Sequence, residues 1–291
     1  MRYQIYIDTQ SFIQRVGAFL RQREVEHNLM LGLCKELLSE NSRYELPPFH
    51  CIVEANDGRV LAAALRTPPH HLILSHCDDL RVIPSIVDAC LAAGQEIEGV
   101  LGMPEQSLRF AEEWRIRSGC GMKLKMRQML HQLDRVVPPE RAVRGKMVAA
   151  QANDQALLEY WYAAFQMEVH GILPVEWFSA KQKEYMSHRL AQKPSLHFLW
   201  WVGERPVCWV SFRATTERVV RIAPVYTPPS ARGCGYASAL VAAVSLTVLE
   251  RGFPYCSLYT DLANPTSNAI YQRVGYQPLQ EIHQYEKNGD R

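Results

Sequence analysis

The stretch "VYTPPSARGCGYASALVAAVSL", residues 225–246, opens as a short apolar strand and passes through Pro228-Pro229. It then reaches Arg232-Gly233-Cys234-Gly235-Tyr236-Ala237 and continues as a long run of small and aliphatic residues. A turn from strand to helix leaves the first N–H groups of the helix unpaired, and the helix dipole adds partial positive charge there. Glycines let an anion approach that backbone and permit positive φ. Arg232 adds a cation at the mouth. The stretch therefore reads as a diphosphate cradle, or as a tight turn in which glycine serves conformation alone. Two other phosphate motifs are excluded. No Lys-Ser/Thr pair follows Gly235, and the third position of G-x-G-x-x-G is Ser238. The turn also comes late in its run of strands, which disfavours a dinucleotide-binding fold.

A second segment, "NPTSNAIYQRVGY" at residues 264–276, favours the cradle. Together the two segments resemble the GNAT superfamily of acyl-coenzyme A-dependent N-acyltransferases. The [QR]-x-x-G-x-[GA] signature is met by Arg232, Gly235 and Ala237; its companion pattern is met by Asn264, Tyr271 and Gly275-Tyr276. The resemblance covers residues 146–287. It implies an α/β (α+β) fold with a mixed, mostly antiparallel twisted sheet flanked by helices. It further implies acetyl-coenzyme A as co-substrate, held at the diphosphate by the backbone of Arg232, Gly233, Cys234, Gly235, Tyr236, Ala237 and Ser238. Val225 and Thr227, on a strand splayed from its neighbour, would pair with the pantetheine arm as an added strand does. Pro228-Pro229 would end the pairing and suit the splay. Asn264 would bind the pantetheine side, and Tyr271 would protonate the leaving thiolate.

The chemistry suits a tyrosine. Attack of an amine on a thioester expels a thiolate with a solution pKa of about 8 to 9, and a phenol near 10 can donate to it. General acid help is worth about 10² to 10⁴ in rate. A backbone N–H on the same strand, such as that of Val225, would stabilise the oxyanion. Apart from its motif, Tyr271 reads better as a packed core residue; within the motif the acid reading is preferred. The strand before the cradle, "RVVRIAPVY", holds no carboxylate to serve as base. Glu168, His170, Tyr259 and Asp261 are the candidates for a base or for the acceptor site; water is the alternative. Cys234, at a helix N-terminus beside Arg232, reads as a tolerated filler at a variable motif position rather than as a reactive thiol.

Around these motifs the chain reads as two copies of one architecture. "DRVVPPERAVRG", residues 134–145, interrupts regular structure and suits an exposed connection. The division expected is a domain at 1–135, a linker at 136–145 and the catalytic domain at 146–291. In the second domain Asp154 is placed to cap a helix over "QALLEYWYAAF", and a second helix is expected from Pro174 to about Gln192. Strands are expected at 196–202, 206–213, 218–226 and 255–262, with two more after Gly275. The first half runs in the same order, with helices within 10–40 and a hairpin about Asn56-Asp57-Gly58. It lacks the cradle: "HCDDLRVIP" puts Asp78-Asp79 where a diphosphate would sit. Aligning Pro104 with Pro265 sets Met103 against Asn264 and Phe110 against Tyr271. The first half is thus expected to be a degenerate GNAT-like domain that binds no coenzyme.

Composition bounds the rest. The net charge of +2, from 32 basic and 30 acidic residues, makes no case for nucleic acid as a partner. Eight scattered cysteines without C-x-x-C spacing argue against a disulfide framework or a metal, and for reduced thiols in a cytoplasm. No apolar run reaches membrane-spanning length, so no membrane association is expected. The acceptor would be a small-molecule amine or a peptide or protein amine, and the chain a monomer or homodimer. Tyr160, Trp161, Trp177, Phe178 and Trp200 would line an apolar pocket or pack in the core. The alternative from another class is a non-catalytic acyl-coenzyme A binding module, with the first half as its effector domain.

Overall fold

The computed structural model describes residues 1–40, 42–171, 180–192 and 196–288. The first half supplies β1 (Arg2–Tyr6), α1 (Thr9–Arg21), α2 (Asn28–Leu37), β2 (Phe49–Glu54) and β3 (Val60–Arg66). It continues with β4 (Leu72–Leu74), α3 (Ile83–Ala92), β5 (Gly99–Gly102), α4 (Pro104–Ser118) and β6 (Met122–Leu133). The second half supplies β7 (Lys146–Ala149), α5 (Gln155–His170), α6 (Ala180–Ala191), β8 (His197–Val202) and β9 (Arg205–Ala214). It ends with β10 (Val219–Tyr226), α7 (Tyr236–Glu250), β11 (Tyr255–Asp261), α8 (Pro265–Val274) and β12 (Gln277–Lys287). Two compact units result. One is Met1–His131 with Tyr259–Asn264 and Pro278–Arg291, and the other is Gln132–Leu258 with Pro265–Gln277.

In the first unit the strands lie in the order β1-β2-β3-β4-β5-β12-β6. Strand alternation sends β2 and β3 side chains to two cores. Phe49, Cys51, Val53, Ala62 and Ala64 pack with α3 and α4. Ile52, Ala63 and Leu65 pack with α1 and α2 on the other face. The last strand, β12, pairs antiparallel with β5, with Tyr285 opposite Val100. Residues after Gly275 thus form one long strand where two were expected. β1 was not foreseen, because it is an exposed edge strand with little apolar patterning to mark it.

In the second unit the order is β11-β10-β9-β8-β7, antiparallel except for β10 with β11. On β9, Cys208, Val210 and Phe212 face a core shared with α7 and α8, while Trp209 faces the core under α5 and α6. α7 is apolar on most sides and buries Leu240, Val241, Val244 and Val248. Asp154 stands at the N-cap position of α5 as expected, but its side chain makes no capping bond to that helix. It closes the 3-10 turn Ala152–Asp154, its Oδ2 accepting from the Gln151 N–H at 2.8 Å, so that Gln151 is the cap. The expected start of the second helix at Pro174 lies outside the described residues; from Ala180 the helix is present as α6. The connection at 134–145 is exposed but strapped to this unit. The Val137 N–H donates to the Val274 carbonyl at 2.8 Å, and Trp200 Nε1 donates to the Arg144 carbonyl at 3.0 Å.

Two expectations follow. Gly275 has φ +110°, and a Cβ there would stand 2.6 Å from the Arg135 carbonyl oxygen. Gly275→Ala should destabilise the protein by about 1 to 3 kcal/mol, read as a lower denaturant midpoint by tryptophan fluorescence. Burial lowers His50 to about 4 and, with Arg189 adding, His197 to about 3. Both stay neutral when folded, whereas the unfolded chain takes up protons near 6.5. Their contribution is full above that pH and is lost as pH falls through the window towards 4 and 3. Urea midpoints should therefore drop between about pH 7.5 and about pH 5; equal midpoints would contradict this.

Candidate active site

After β10 the chain makes a 3-10 turn at Pro229–Ala231 and extends at Arg232. Gly233 and Gly235 both take positive φ, 78° and 80°, which side chains resist. Gly235 is the N-cap of α7 and offers no side-chain cap. The first helical bond runs from the Ala239 N–H to the Gly235 carbonyl at 3.0 Å. Among the described residues, the N–H groups of Gly233 through Ser238 have no acceptor. No atom lies within 4 Å of where a Gly233 Cβ would be. Bare donors, open space and the positive end of a helix fit a diphosphate.

The Arg232 side chain lies across the mouth. Its Nε donates to the Thr227 carbonyl at 2.9 Å, and its Nη2 donates to both Glu168 oxygens at 2.8 and 2.7 Å. Glu168 sits in the last turn of α5. The sequence offers Arg232 as an anion-binding cation and Glu168 as a candidate base; the structure binds the two together.

β10 carries the expected splay, but its origin differs. Parallel pairing with β11 covers only Val219, Val220 and Arg221. Pairing with β9 continues through Val225 and Tyr226, with a register shift between Ile222 and Val225. A bulge containing Pro224 bends the strand there, well before Pro228-Pro229. Past it, the Thr227 hydroxyl donates to Cys208 Sγ at 3.2 Å. Cys208 is fully buried, which pushes its thiol up to about 12. Tyr271, on α8, shares this core and is 8% exposed. Burial pushes its phenol up to about 12, opposed by a hydrogen bond from Ser267; a charge on Cys208 would raise it further. Its ring meets Tyr276 edge-on at 6.0 Å, and the Tyr276 hydroxyl bonds Ser245 Oγ at 2.8 Å. The phenol is therefore protonated throughout the neutral range.

The remaining candidates fall elsewhere. Asp261 Oδ1 accepts from the Ala263 N–H at 2.8 Å and the Asp261 carbonyl from the Asn264 N–H at 3.0 Å, which folds the turn into α8. The Tyr259 hydroxyl accepts from Asn28 Nδ2 at 3.2 Å. Tyr259, Asp261 and Asn264 all belong to the first unit by their contacts. His170 ends α5, and its side chain lies outside the described residues, as do Trp177 and Phe178. Trp161 and Trp200 are core residues, whereas Tyr160 is 71% exposed. Cys234 is exposed, its thiol donating to the Arg232 carbonyl at 3.6 Å. All eight cysteines are free thiols. Among the described residues no cluster of three His, Cys, Asp or Glu could hold a metal, and no helix is long and apolar enough to cross a membrane.

At the corresponding turn of the first unit, Asp79 caps the 3-10 turn leading into α3. Its Oδ1 accepts from the Arg81 N–H at 2.9 Å. A carboxylate of the chain itself stands where the second unit presents bare donors. Phe110, on α4 where α8 has Tyr271, is fully buried.

Residues 156–276 match the model of the Acetyltransferase (GNAT) family. None of the curated proteins matches the chain. Among solved structures, an acetyltransferase of the GNAT family from Colwellia psychrerythraea is similar over 99% of this chain and 100% of its own, with 11% identity and a TM-score of 0.59. A tandem GNAT protein from the clavulanic acid biosynthesis pathway is similar over 100% of both chains, with 11% identity and a TM-score of 0.59. A GCN5-related N-acetyltransferase from Sphaerobacter thermophilus is similar over 88% of this chain and 87% of its own, with 17% identity and a TM-score of 0.60. At such identities the likeness is one of fold, and it extends over both halves of the chain. Residues 156–276 thus form a GNAT acetyltransferase domain, and the chain as a whole has the fold of tandem GNAT proteins.

Proposed function

We propose that the second unit transfers an acetyl group from acetyl-coenzyme A to a primary amine by direct attack, with Tyr271 as general acid. The observation that carries this reading is the row of unpaired N–H groups from Gly233 to Ser238 at the start of α7. It directly follows a strand that has left its β11 ladder after Arg221. Coenzyme A supplies the activated acyl group as a thioester. The cradle N–H groups would hold its diphosphate, and Val225 and Thr227 would pair with its pantetheine arm. The Thr227 carbonyl already accepts one hydrogen bond, from Arg232 Nε, and the main-chain N–H is the donor Thr227 has to offer.

Tyr271 holds its proton at the neutral pH at which a thiolate of pKa about 8 to 9 departs. The phenol supports that charge by donating to it and recovers its proton from solvent. Glu168 is left out of the base role, because both its oxygens take donors from Arg232. Water removes the proton from the attacking amine. The acceptor is an amine of a small molecule or of a peptide or protein. The first unit is the non-binding copy, its helix start closed by Asp79.

Tyr271→Phe should leave coenzyme A binding within about twofold, read by calorimetry, while turnover falls at least about tenfold. Turnover is followed as thiol release from acetyl-coenzyme A with a panel of amines, corrected for hydrolysis. Unchanged turnover removes the acid assignment. Binding without thiol release for any amine favours the sensing module over the enzyme.

A further inference from the structure

Arg232 is the one charged residue between Ser230 and Ser238, so the cradle's side-chain charge is its guanidinium. A guanidinium has five N–H donors and binds phosphate best through two parallel bonds from neighbouring nitrogens. Here Nε is taken by the Thr227 carbonyl, and Nη2 donates to the two oxygens of Glu168. Every two-nitrogen fork of the guanidinium includes a nitrogen already engaged, except through exchange of one partner. The Thr227 bond joins neighbours within one loop, whereas Glu168 arrives from α5, 64 residues away in sequence. Glu168 is the exchangeable partner. The side chains are 48% and 44% exposed, so solvent screens the pair and its separation costs little.

We propose that Glu168 is the cradle's internal counter-anion. It competes with the coenzyme diphosphate for Arg232, holds coenzyme affinity down and thereby speeds release of the product coenzyme A. This rests on the coenzyme reading given above. Two effects oppose each other at this position. Glu168 orients Arg232, which favours binding, and its negative charge repels the diphosphate and neutralises the guanidinium, which disfavours it. The Thr227 carbonyl orients the side chain independently, so the charge effect prevails. Replacing Glu168 by glutamine separates the two effects, since the amide oxygen still accepts from Nη2 but carries no charge.

The test is calorimetric titration of the full chain with coenzyme A and with dephospho-coenzyme A, with dissociation rates from stopped flow. Glu168→Gln should tighten both ligands by about threefold to tenfold at low salt, mainly through slower dissociation. The gain should shrink to under about twofold near 0.5 M salt, where exposed charges are screened. Glu168→Ala should tighten binding in the same direction, and melting curves check that both variants fold. Equal or weaker binding by Glu168→Gln overturns the proposal and leaves Glu168 an orienting residue. Tightening for coenzyme A but not for dephospho-coenzyme A overturns the diphosphate as the competitor, because only the 3′-phosphate differs. If the unaltered protein binds neither ligand, the coenzyme reading itself falls.

Discussion

Backbone groups that leave a β-ladder must find other partners, and the second unit is arranged around one such departure. β10 runs beside β11 for only three residues, then bulges about Pro224 while keeping β9 on its other side. The strand end so released carries Val225 and Thr227, and the loop that follows turns through two positive-φ glycines into α7. Several contacts hold that end in place without covering it. The Thr227 hydroxyl reaches down to Cys208, its carbonyl takes Arg232, and Arg232 reaches out to Glu168. Tyr271 packs in the same core as Cys208. Unsatisfied polar backbone is tolerated only where something can satisfy it, so the rigid surroundings and the open amides belong to one design.

The two units show how little separates an open turn from a closed one. Both send a strand into a helix at the corresponding point of the order β-α-α-β-β-β-α-β-α-β. In the first unit an aspartate sits one residue before the helical turn and satisfies the Arg81 N–H from within. In the second, glycine takes that place and supplies no side chain. The aligned helix position carries phenylalanine in one unit and tyrosine in the other, and both are buried. Burial of the ring is thus a packing requirement that either residue meets, and the hydroxyl is the added chemical element.

Local signals in the sequence were strong wherever the chemistry was local. The cradle from Arg232 to Ser238, the α8 start at Pro265, and the hairpin at Asn56-Asp57-Gly58 each depend on residues within a few positions of one another. The Arg232–Glu168 pair, the Thr227–Cys208 bond and the Ser267–Tyr271 bond were not foreseen. The first two join residues on different elements, and no spacing rule points to them. The third is a one-turn contact on α8, but the hydroxyl of Ser267 carries no motif. The bulge could have been anticipated, since Pro224 stands inside an otherwise regular strand run. Asp154 misled because a carboxylate before a helix looks alike whether it caps that helix or closes the turn ahead of it.

The pairing of β12 with β5 has a consequence for how the chain comes to be folded. Tyr285 lies opposite Val100, and His283 opposite Gly102. A ribosome delivers β5 long before it delivers β12, so the edge of β5 that β12 will occupy waits while the whole second unit is synthesised. Exposed strand edges are templates for pairing with other chains, and closing so long a loop is entropically slow. The first unit therefore completes its sheet last although it is made first. Its nascent form is the one that a chaperone would have most reason to hold.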